Sequence, residues 1–247
     1  MPVIRVASWN IWVFGKRNYK GITRFIKENK VDVIGIQEAA IYYDKKPKLD
    51  MARSIANEIG YHYVFFPALD IKPNYIMGNA IISRFPIVKA RSYKLTPPWI
   101  KYDGQFENEM RILVASKIKV NNIMINFLTT HLQVTVRFKS TKVRQFQIKK
   151  IISVMNKLDG KAILTGDFNS LLTNPELKLL SKRLNRIGGT RPTWTTVPFS
   201  HKDWHINKLE YRLDNIFISK NLKYRYFKIG KSKISDHLPI MADVSIA

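Results

Sequence analysis

The chain of 247 residues contains no cysteine. That excludes a disulfide scaffold, a Cys-ligated zinc site, an iron–sulfur cluster and a cysteine nucleophile. Acidic residues are scarce: 18 Asp and Glu stand against 42 Lys and Arg, a formal net charge of +24. Long apolar runs are missing too. The longest are strand-sized, far short of the roughly 20 residues that span a bilayer, so no stable membrane insertion is expected. The first ten residues lack a basic segment followed by a longer apolar run, which predicts no signal peptide and a cytoplasmic protein. No repeat, low-complexity tract or Gly/Ser/Pro-rich linker interrupts the chain. Residues 1–247 therefore read as a single domain, long enough to bury a core without a metal or disulfide staple. A hydrophobic content of 45%, with 12% aromatics, is that of a globular chain and excludes a disordered basic tail.

The charge favours a polyanionic partner: nucleic acid, an anionic membrane surface or a phosphorylated small molecule. Strand signals occur at Ile4 to Trp9, Val31 to Gln37, Tyr61 to Phe66, Asn79 to Ser83, Arg111 to Val120, Ile123 to Thr130, Ala162 to Thr165, Leu213 to Ser219 and Pro239 to Ser245. Asn121-Asn122 between two of these runs is a tight-turn pair and predicts a hairpin. Helical spacing appears at Gly21 to Asn29, Leu49 to Ile59 and Thr141 to Leu158. In the last of these, Phe146, Ile148, Ile151, Ile152 and Met155 are expected inward, with Lys and Arg opposite. Strands outnumber helices, so the reading is α+β, with helices covering two packed sheets.

Polar residues gather at the strand ends. Asn10, Glu38, His131, Asp167 with Asn169, Asp214, and Asp236 with His237 each follow or precede an apolar run. Any one of these is ordinarily a turn or cap; six such groups in one chain can converge on one rim of a sheet pair. Asn, Asp and Glu oxygens are hard ligands suited to Mg²⁺. Two histidines beside carboxylates suit acid–base or transition-state roles. A phosphate-binding Gly-rich loop before a helix is absent, as is a Gly-x-Ser-x-Gly elbow, which weakens the readings of a nucleotide-triphosphatase and a serine hydrolase. His201 and His205 have a four-residue spacing but no adjoining Glu, and read as a loop pair, with a metal site as the lesser alternative.

In order along the chain stand Ser-Trp-Asn-Ile, Ile-Gln-Glu, Gly-Asn-Ala-Ile-Ile-Ser-Arg, Thr-His-Leu, Thr-Gly-Asp-Phe-Asn-Ser, Arg-Leu-Asp-Asn-Ile-Phe and Ser-Asp-His-Leu-Pro. This set resembles the endonuclease/exonuclease/phosphatase superfamily, whose members include deoxyribonuclease I, tyrosyl-DNA phosphodiesterase, deadenylases, sphingomyelinases and inositol polyphosphate phosphatases. The resemblance spans Trp9 to Pro239. It implies a four-layer α/β/β/α sandwich of two mainly antiparallel sheets, and hydrolysis of phosphoesters with Mg²⁺, Mn²⁺ being able to substitute. It also implies roles: Glu38 as principal metal ligand with Asn10 and Asp236, Asp167 for the attacking water, and Asn169 for the scissile phosphate. His237 would stabilise the transition state with Asp214 fixing its tautomer, and His131 would contact a phosphate oxygen or the leaving group. Arg111 and Asn79 would meet substrate. Trp12 stands where exonuclease III-type members often carry an acid or Asn, and the Thr-His-Leu motif also points to the deoxyribonuclease I branch.

Two basic runs adjoin these motifs. Arg137, Lys139, Lys142 and Arg144 follow His131, and Lys220, Lys223, Arg225, Lys228, Lys231 and Lys233 precede Asp236. Either could track a phosphate backbone, with Arg137 and Arg144 as substrate contacts; the alternatives are a solvated helix face and a Lys-protected edge strand. Trp12, Trp99, Trp194 and Trp204 could stack bases, at least two of them being core instead. The expectation is a monomeric nuclease or DNA-end phosphodiesterase, with DNA ahead of RNA. A lipid or inositol-phosphate phosphoesterase is the second reading and a catalytically inactive nucleic-acid-binding module the third.

Overall fold

A computed structural model describes residues 2–44 and 46–246. In chain order the elements are β1 (Val3–Asn10), α1 (Tyr19–Glu28), β2 (Val33–Tyr42), β3 (Leu49–Asp50), α2 (Met51–Ile59), β4 (His62–Ile71), β5 (Tyr75–Ser83) and β6 (Ile87–Lys94). Then come β7 (Ile112–Val120), β8 (Ile123–His131), α3 (Lys142–Met155), β9 (Ala162–Asp167), α4 (Pro175–Ser181) and β10 (Leu184–Ile187). The chain closes with β11 (Phe199–His201), β12 (Trp204–Ile206), β13 (Asp214–Ser219), β14 (Lys223–Ile229) and β15 (Ile240–Ser245).

Among the described residues, one sheet has seven strands in the order β14-β15-β1-β2-β5-β4, with β3 added on β2. The second has six, in the order β10-β13-β9-β8-β7-β6. Each sheet is antiparallel except for one central pair. In the first, β1 and β2 run parallel, joined through α1; in the second, β8 and β9 run parallel, joined through α3. These crossovers put helices on the outer faces.

Alternation along the strands sorts side chains into layers. Val6 and Val33 point into the space between the sheets, with Ile81, Val114, Phe127, Ile163, Ile216 and Ile240. Their neighbours Ala7 and Ile34 point outward against Ile22, Phe25 and Ile26 of α1 and Ile55 of α2. On the far side, Leu113, Leu128 and Leu164 meet Ile148 and Ile151 of α3 and Leu177 and Leu180 of α4. Three apolar layers separated by two sheets make the α/β/β/α sandwich expected from the sequence.

The sheets approach closely beneath one rim. Gln37 donates to Thr129 Oγ1 across the interface at 2.7 Å. A Cβ on Gly35 would stand 2.3 Å from Thr165 Oγ1 and 2.5 Å from Thr129 Oγ1, so only glycine admits this approach.

Several elements depart from the sequence reading. The strand expected to end at Gln37 runs on to Tyr42 through a bulge between Ile36 and Ala39, so Glu38 lies within a strand. Helix α3 is rotated about its axis: its buried residues are Arg144, Gln147, Ile148, Ile151 and Val154, while Phe146, Ile152 and Met155 are half-buried. Glu176 draws Arg144 inward, and Gln147 accepts the Gln133 N–H at 3.0 Å. His201 and His205 sit on the paired strands β11 and β12, where Ser200 faces His205 and His201 faces Trp204. Strand alternation puts the two rings on opposite faces, so they cannot share a metal.

Candidate active site

The rim above the close approach is built from matching positions of the two sheets. The ends of the parallel pairs deliver Asn10 from β1, His131 from β8 and Asp167 from β9, and the bulge in β2 delivers Glu38. The start of β13 adds Asp214, and the loop before β15 adds Asp236 and His237. Backbone strain concentrates here: Trp12 (φ 54°), Glu38 (φ 55°) and Asn169 (φ 46°) are in the left-handed region, which costs a residue with a Cβ about 1–2 kcal/mol.

Asn10 joins the two sheets. Its amide donates to Glu38 Oε1 at 2.9 Å and to Asp167 Oδ2 at 3.1 Å, while its Oδ1 accepts from the Trp12 N–H at 3.0 Å. Glu38 Oε2 accepts the Val13 N–H at 2.9 Å. Asp167 Oδ1 accepts the Asn169 N–H at 2.9 Å. His237 Nδ1 lies 2.9 Å from Asp214 Oδ2, and its Nε2 lies 3.6 Å from Asp167 Oδ2. His131 Nε2 is 3.0 Å from the Asn169 amide nitrogen and 3.5 Å from Asp167 Oδ2, and its Nδ1 is 2.8 Å from Arg111 Nη1.

Electrostatics separates the two histidines. Burial opposes charge on His237, but Asp214, Asp167 and Asp236 outweigh it and hold the imidazolium well above the usual histidine range. Burial, then the Arg111 and His237 cations, hold His131 well below that range, so its ring is neutral. Burial and the Asp236 carboxylate push Glu38 up to about 7. Burial also raises Asp167, to about 6, against the pull of His237. The site holds two groups of potential ligand atoms. Asp167, Asp214 and His237 each place an atom within 4.8 Å of the others, a group that could hold a metal ion only once the His237 ring has lost its extra proton. Glu38 and Asp236 form a second, all-oxygen pair; among the described residues neither is paired with a lysine or arginine.

The cleft over this rim encloses about 250 Å³. Asn10, Glu38, Arg111, His131, Asp167, Asn169, Asp236 and His237 line it; Asp214 lies behind His237, fully buried. Its remaining wall is mainly aromatic and apolar: Trp12, Phe14, Phe106, Phe138, Trp194, Phe199 and Trp204, with Val13, Met77, Val134, Val197 and Pro198, and the polar Glu109 and Thr195. Trp194 and Trp204 are buried in a cluster with Phe138, and Trp99 is exposed, edge-on to Phe146.

Three residues read from the sequence as substrate contacts lie elsewhere. Arg144 is fully buried, bonded to Glu176 Oε1 at 2.7 Å and to the carbonyls of Gln133, Phe138, Lys139 and Asn169. Asn79 is 3% exposed and donates to the Ile112 carbonyl across the sandwich. Arg137 is on the surface, 3.4 Å from Asp203. Sequence reasoning overlooked Glu109, which holds Arg111 Nη2 at 2.8 Å, and Ser235, which donates to the Asn10 carbonyl at 2.7 Å. It named Trp194 only for stacking; its indole N–H donates to Asp236 Oδ2 at 2.9 Å.

A sandwich with this rim of carboxylates, amides and two histidines is that of a phosphoester hydrolase. The chain belongs to the Endonuclease/Exonuclease/phosphatase family, matching it over residues 7–237. Members of that family are metal-dependent hydrolases of phosphoester bonds. No curated protein matches the chain. Among solved structures, the endonuclease/exonuclease/phosphatase from Bacteroides vulgatus is similar at TM-score 0.74 and 18% identity, covering 100% of each chain. The human Nocturnin catalytic domain, with bound sulfate, is similar at TM-score 0.74 and 22% identity, covering 100% of this chain and 95% of its own. A mannosyl-6-phosphatase from Bacteroides thetaiotaomicron is similar at TM-score 0.72 and 19% identity, covering 98% and 99%.

The raised Glu38 carboxyl has a measurable consequence in the absence of metal. Its folded-state pKa of about 7 exceeds its ordinary value of 4.5. It therefore contributes stability that is fully present below 4.5 and lost as the pH rises through 7. His131 acts in the opposite sense below its ordinary 6.5, so the Glu38 effect is read as a difference. With chelator present, the wild type should lose up to about 3 kcal/mol relative to Glu38→Gln between pH 4.5 and 7. Urea melts at stepped pH measure this; parallel curves for the two proteins would contradict it.

Proposed function

We propose that the protein is a Mg²⁺-dependent phosphodiesterase acting on nucleic acid. The observation that carries this reading is the aromatic wall beside the rim. A flat, apolar nucleobase next to the scissile phosphate fits Trp12, Phe14, Phe106 and Phe199. A sugar or inositol phosphate would need several hydroxyl partners there, and outside the catalytic rim the wall offers Thr195, the Glu109 carboxylate already paired with Arg111, and otherwise mainly aromatic and apolar groups.

Glu38 and Asp236, with Asn10, suit Mg²⁺, which takes one or two carboxylates and keeps its other positions for water and phosphate oxygens. The fit rests on two half-buried carboxylates facing the cleft, where burial and then the Asp236 charge push Glu38 up to about 7. When bound, the ion would neutralise charge on the phosphate. Asp167, once ionised, orients or deprotonates the attacking water, and Asn169 holds the scissile phosphate. The His237 imidazolium, fixed by Asp214, faces the negative charge that grows in the transition state. His131, neutral and held between Arg111 and Asn169, serves a phosphate oxygen or the leaving group, with Arg111 as the adjoining cation.

The experiment is a turnover panel in Mg²⁺ and in EDTA, over single-stranded, duplex, abasic and deaminated DNA, RNA, a sphingomyelin analogue and a sugar phosphate. Nucleic acid should be hydrolysed only with Mg²⁺, with KM rising as salt is added. Turnover confined to the sugar phosphate would overturn the reading. Phe14, 70% exposed at the mouth of the cleft, favours a lipid phosphodiester as the second reading, and turnover confined to the sphingomyelin analogue would select it.

A further inference from the structure

Almost none of the +24 net charge enters the cleft: among the described residues, Arg111 is the one lysine or arginine lining it. The lysines lie next door. An open groove of about 690 Å³ adjoins the cleft and shares Thr195 with it. Thr196, Asn207, Lys208, Lys231 and Lys233 line its other sides. The groove wall is tied to the catalytic loop: the Thr196 N–H donates to the Asp236 carbonyl at 2.9 Å, and its hydroxyl to the Ser235 carbonyl at 2.8 Å.

Among the described residues, no carboxylate lines this groove. The three lysines are exposed, and among the described residues none forms an ion pair. Lys231 and Lys233 also line the next depression, with Arg24, Lys228 and one acid, Glu28, so a net basic track continues away from the cleft. Unopposed ammonium groups in a concavity concentrate positive potential, and an anion with spaced charges relieves their repulsion. A lone phosphomonoester would be satisfied within the cleft. A track that begins at the cleft and runs outward suits a chain bearing further phosphates.

We propose that the Lys208–Lys231–Lys233 groove seats the non-scissile phosphates of a nucleic-acid strand whose scissile phosphate lies at the Glu38–His237 cleft. The proposal rests on the nucleic-acid reading above, and it selects Lys231 and Lys233 from the basic run before Asp236. It adds Lys208, which arrives from the return of the β11–β12 hairpin.

The test uses the full chain carrying Asp167→Asn, so that binding is read without turnover. The probe is a fluorescently labelled 12-nucleotide single-stranded DNA. Lys208→Gln/Lys231→Gln/Lys233→Gln should weaken binding by about 10- to 100-fold and lower the slope of log Kd against log salt by about 2, as expected for three lost phosphate contacts on a single strand. A charge-matched control, Lys149→Gln/Lys150→Gln/Lys157→Gln on the outer face of α3 and just beyond it, should stay close to the parent. Unchanged melting temperatures confirm that both variants fold. Equal losses in the two triple variants, or no loss in the groove variant, would overturn the groove. So would lysine-dependent binding to phosphatidylserine vesicles without lysine-dependent binding to the oligonucleotide. Turnover by the Asp167-intact chain separates the two claims. Cleavage of the oligonucleotide with KM unmoved by the lysine changes defeats the groove and leaves the enzyme reading standing. Lysine-dependent binding with no cleavage defeats the enzyme reading and leaves the groove.

Discussion

His237→Ala should lower kcat by about three to four orders of magnitude and leave KM within a few-fold of wild type. The imidazolium is held by Asp214 at 2.9 Å and faces Asp167 at 3.6 Å, so it is charged before substrate arrives. An interaction that strengthens only as the transition state forms appears in kcat and not in KM. Asp214→Asn should cost nearly as much, because an amide neither fixes the same tautomer nor stabilises the cation. The two residues act as a unit, so the double variant should be scarcely worse than His237→Ala. Steady-state kinetics on a chromogenic nucleotide ester, with far-ultraviolet circular dichroism as a check on folding, measures all three. A kcat within tenfold of wild type for His237→Ala would remove His237 from the reaction.

Arg144→Ala should destabilise the protein by about 3–5 kcal/mol, read as a fall in the urea midpoint. Arg144 and Glu176 have no exposed side-chain area and lie 2.7 Å apart. Removing the arginine leaves a carboxylate buried with only the hydroxyls of Ser140 and Ser170, and an unpaired buried charge is among the costliest single defects. The same guanidinium gathers carbonyls from the segment after β8 and from Asn169. Loss of stability should therefore come with loss of activity. Replacing both partners together, Arg144→Met with Glu176→Leu, should recover much of the stability, since two apolar side chains need no partner. A midpoint for Arg144→Ala within 1 kcal/mol of wild type would show that the pair is not buried in solution.

Arg144 also shows where a sequence stops informing. The chain displays its charge but not its depth, and a basic residue among Arg137, Lys139 and Lys142 looks solvated. The clue was present in the spacing: 144, 147, 148 and 151 share one helical face, and the polar identities of the first two hid it. The rim was legible because strand ends in a packed sheet pair must meet, and Asn10, Asp167, Asp214 and His237 each punctuate an apolar run. Edge strands were less visible. In β14 Lys223 to Tyr226 are exposed, so the alternation that marks a half-buried strand fades, as the Lys-protected edge considered from the sequence would have it. Strand β4 outran its expected end because Pro67 is tolerated on an edge, beside a bulge. The groove lysines were half legible: Lys231 and Lys233 stand near Asp236 in the chain, whereas Lys208 reaches them only through the folded hairpin.

The tight contact at Gly35 gives the rim a property that no single loop could supply. Asn10 and Glu38 belong to one sheet, and His131 and Asp167 to the other. The reacting groups are thus assembled like the two jaws of a clamp, with Gly35 as the thin point of the hinge line. The jaws have no partial setting: a wedge the size of one methyl group beneath the rim would move half of the machinery relative to the other half. The spacing between nucleophile and transition-state cation is in this sense a property of the whole sandwich, fixed by its core.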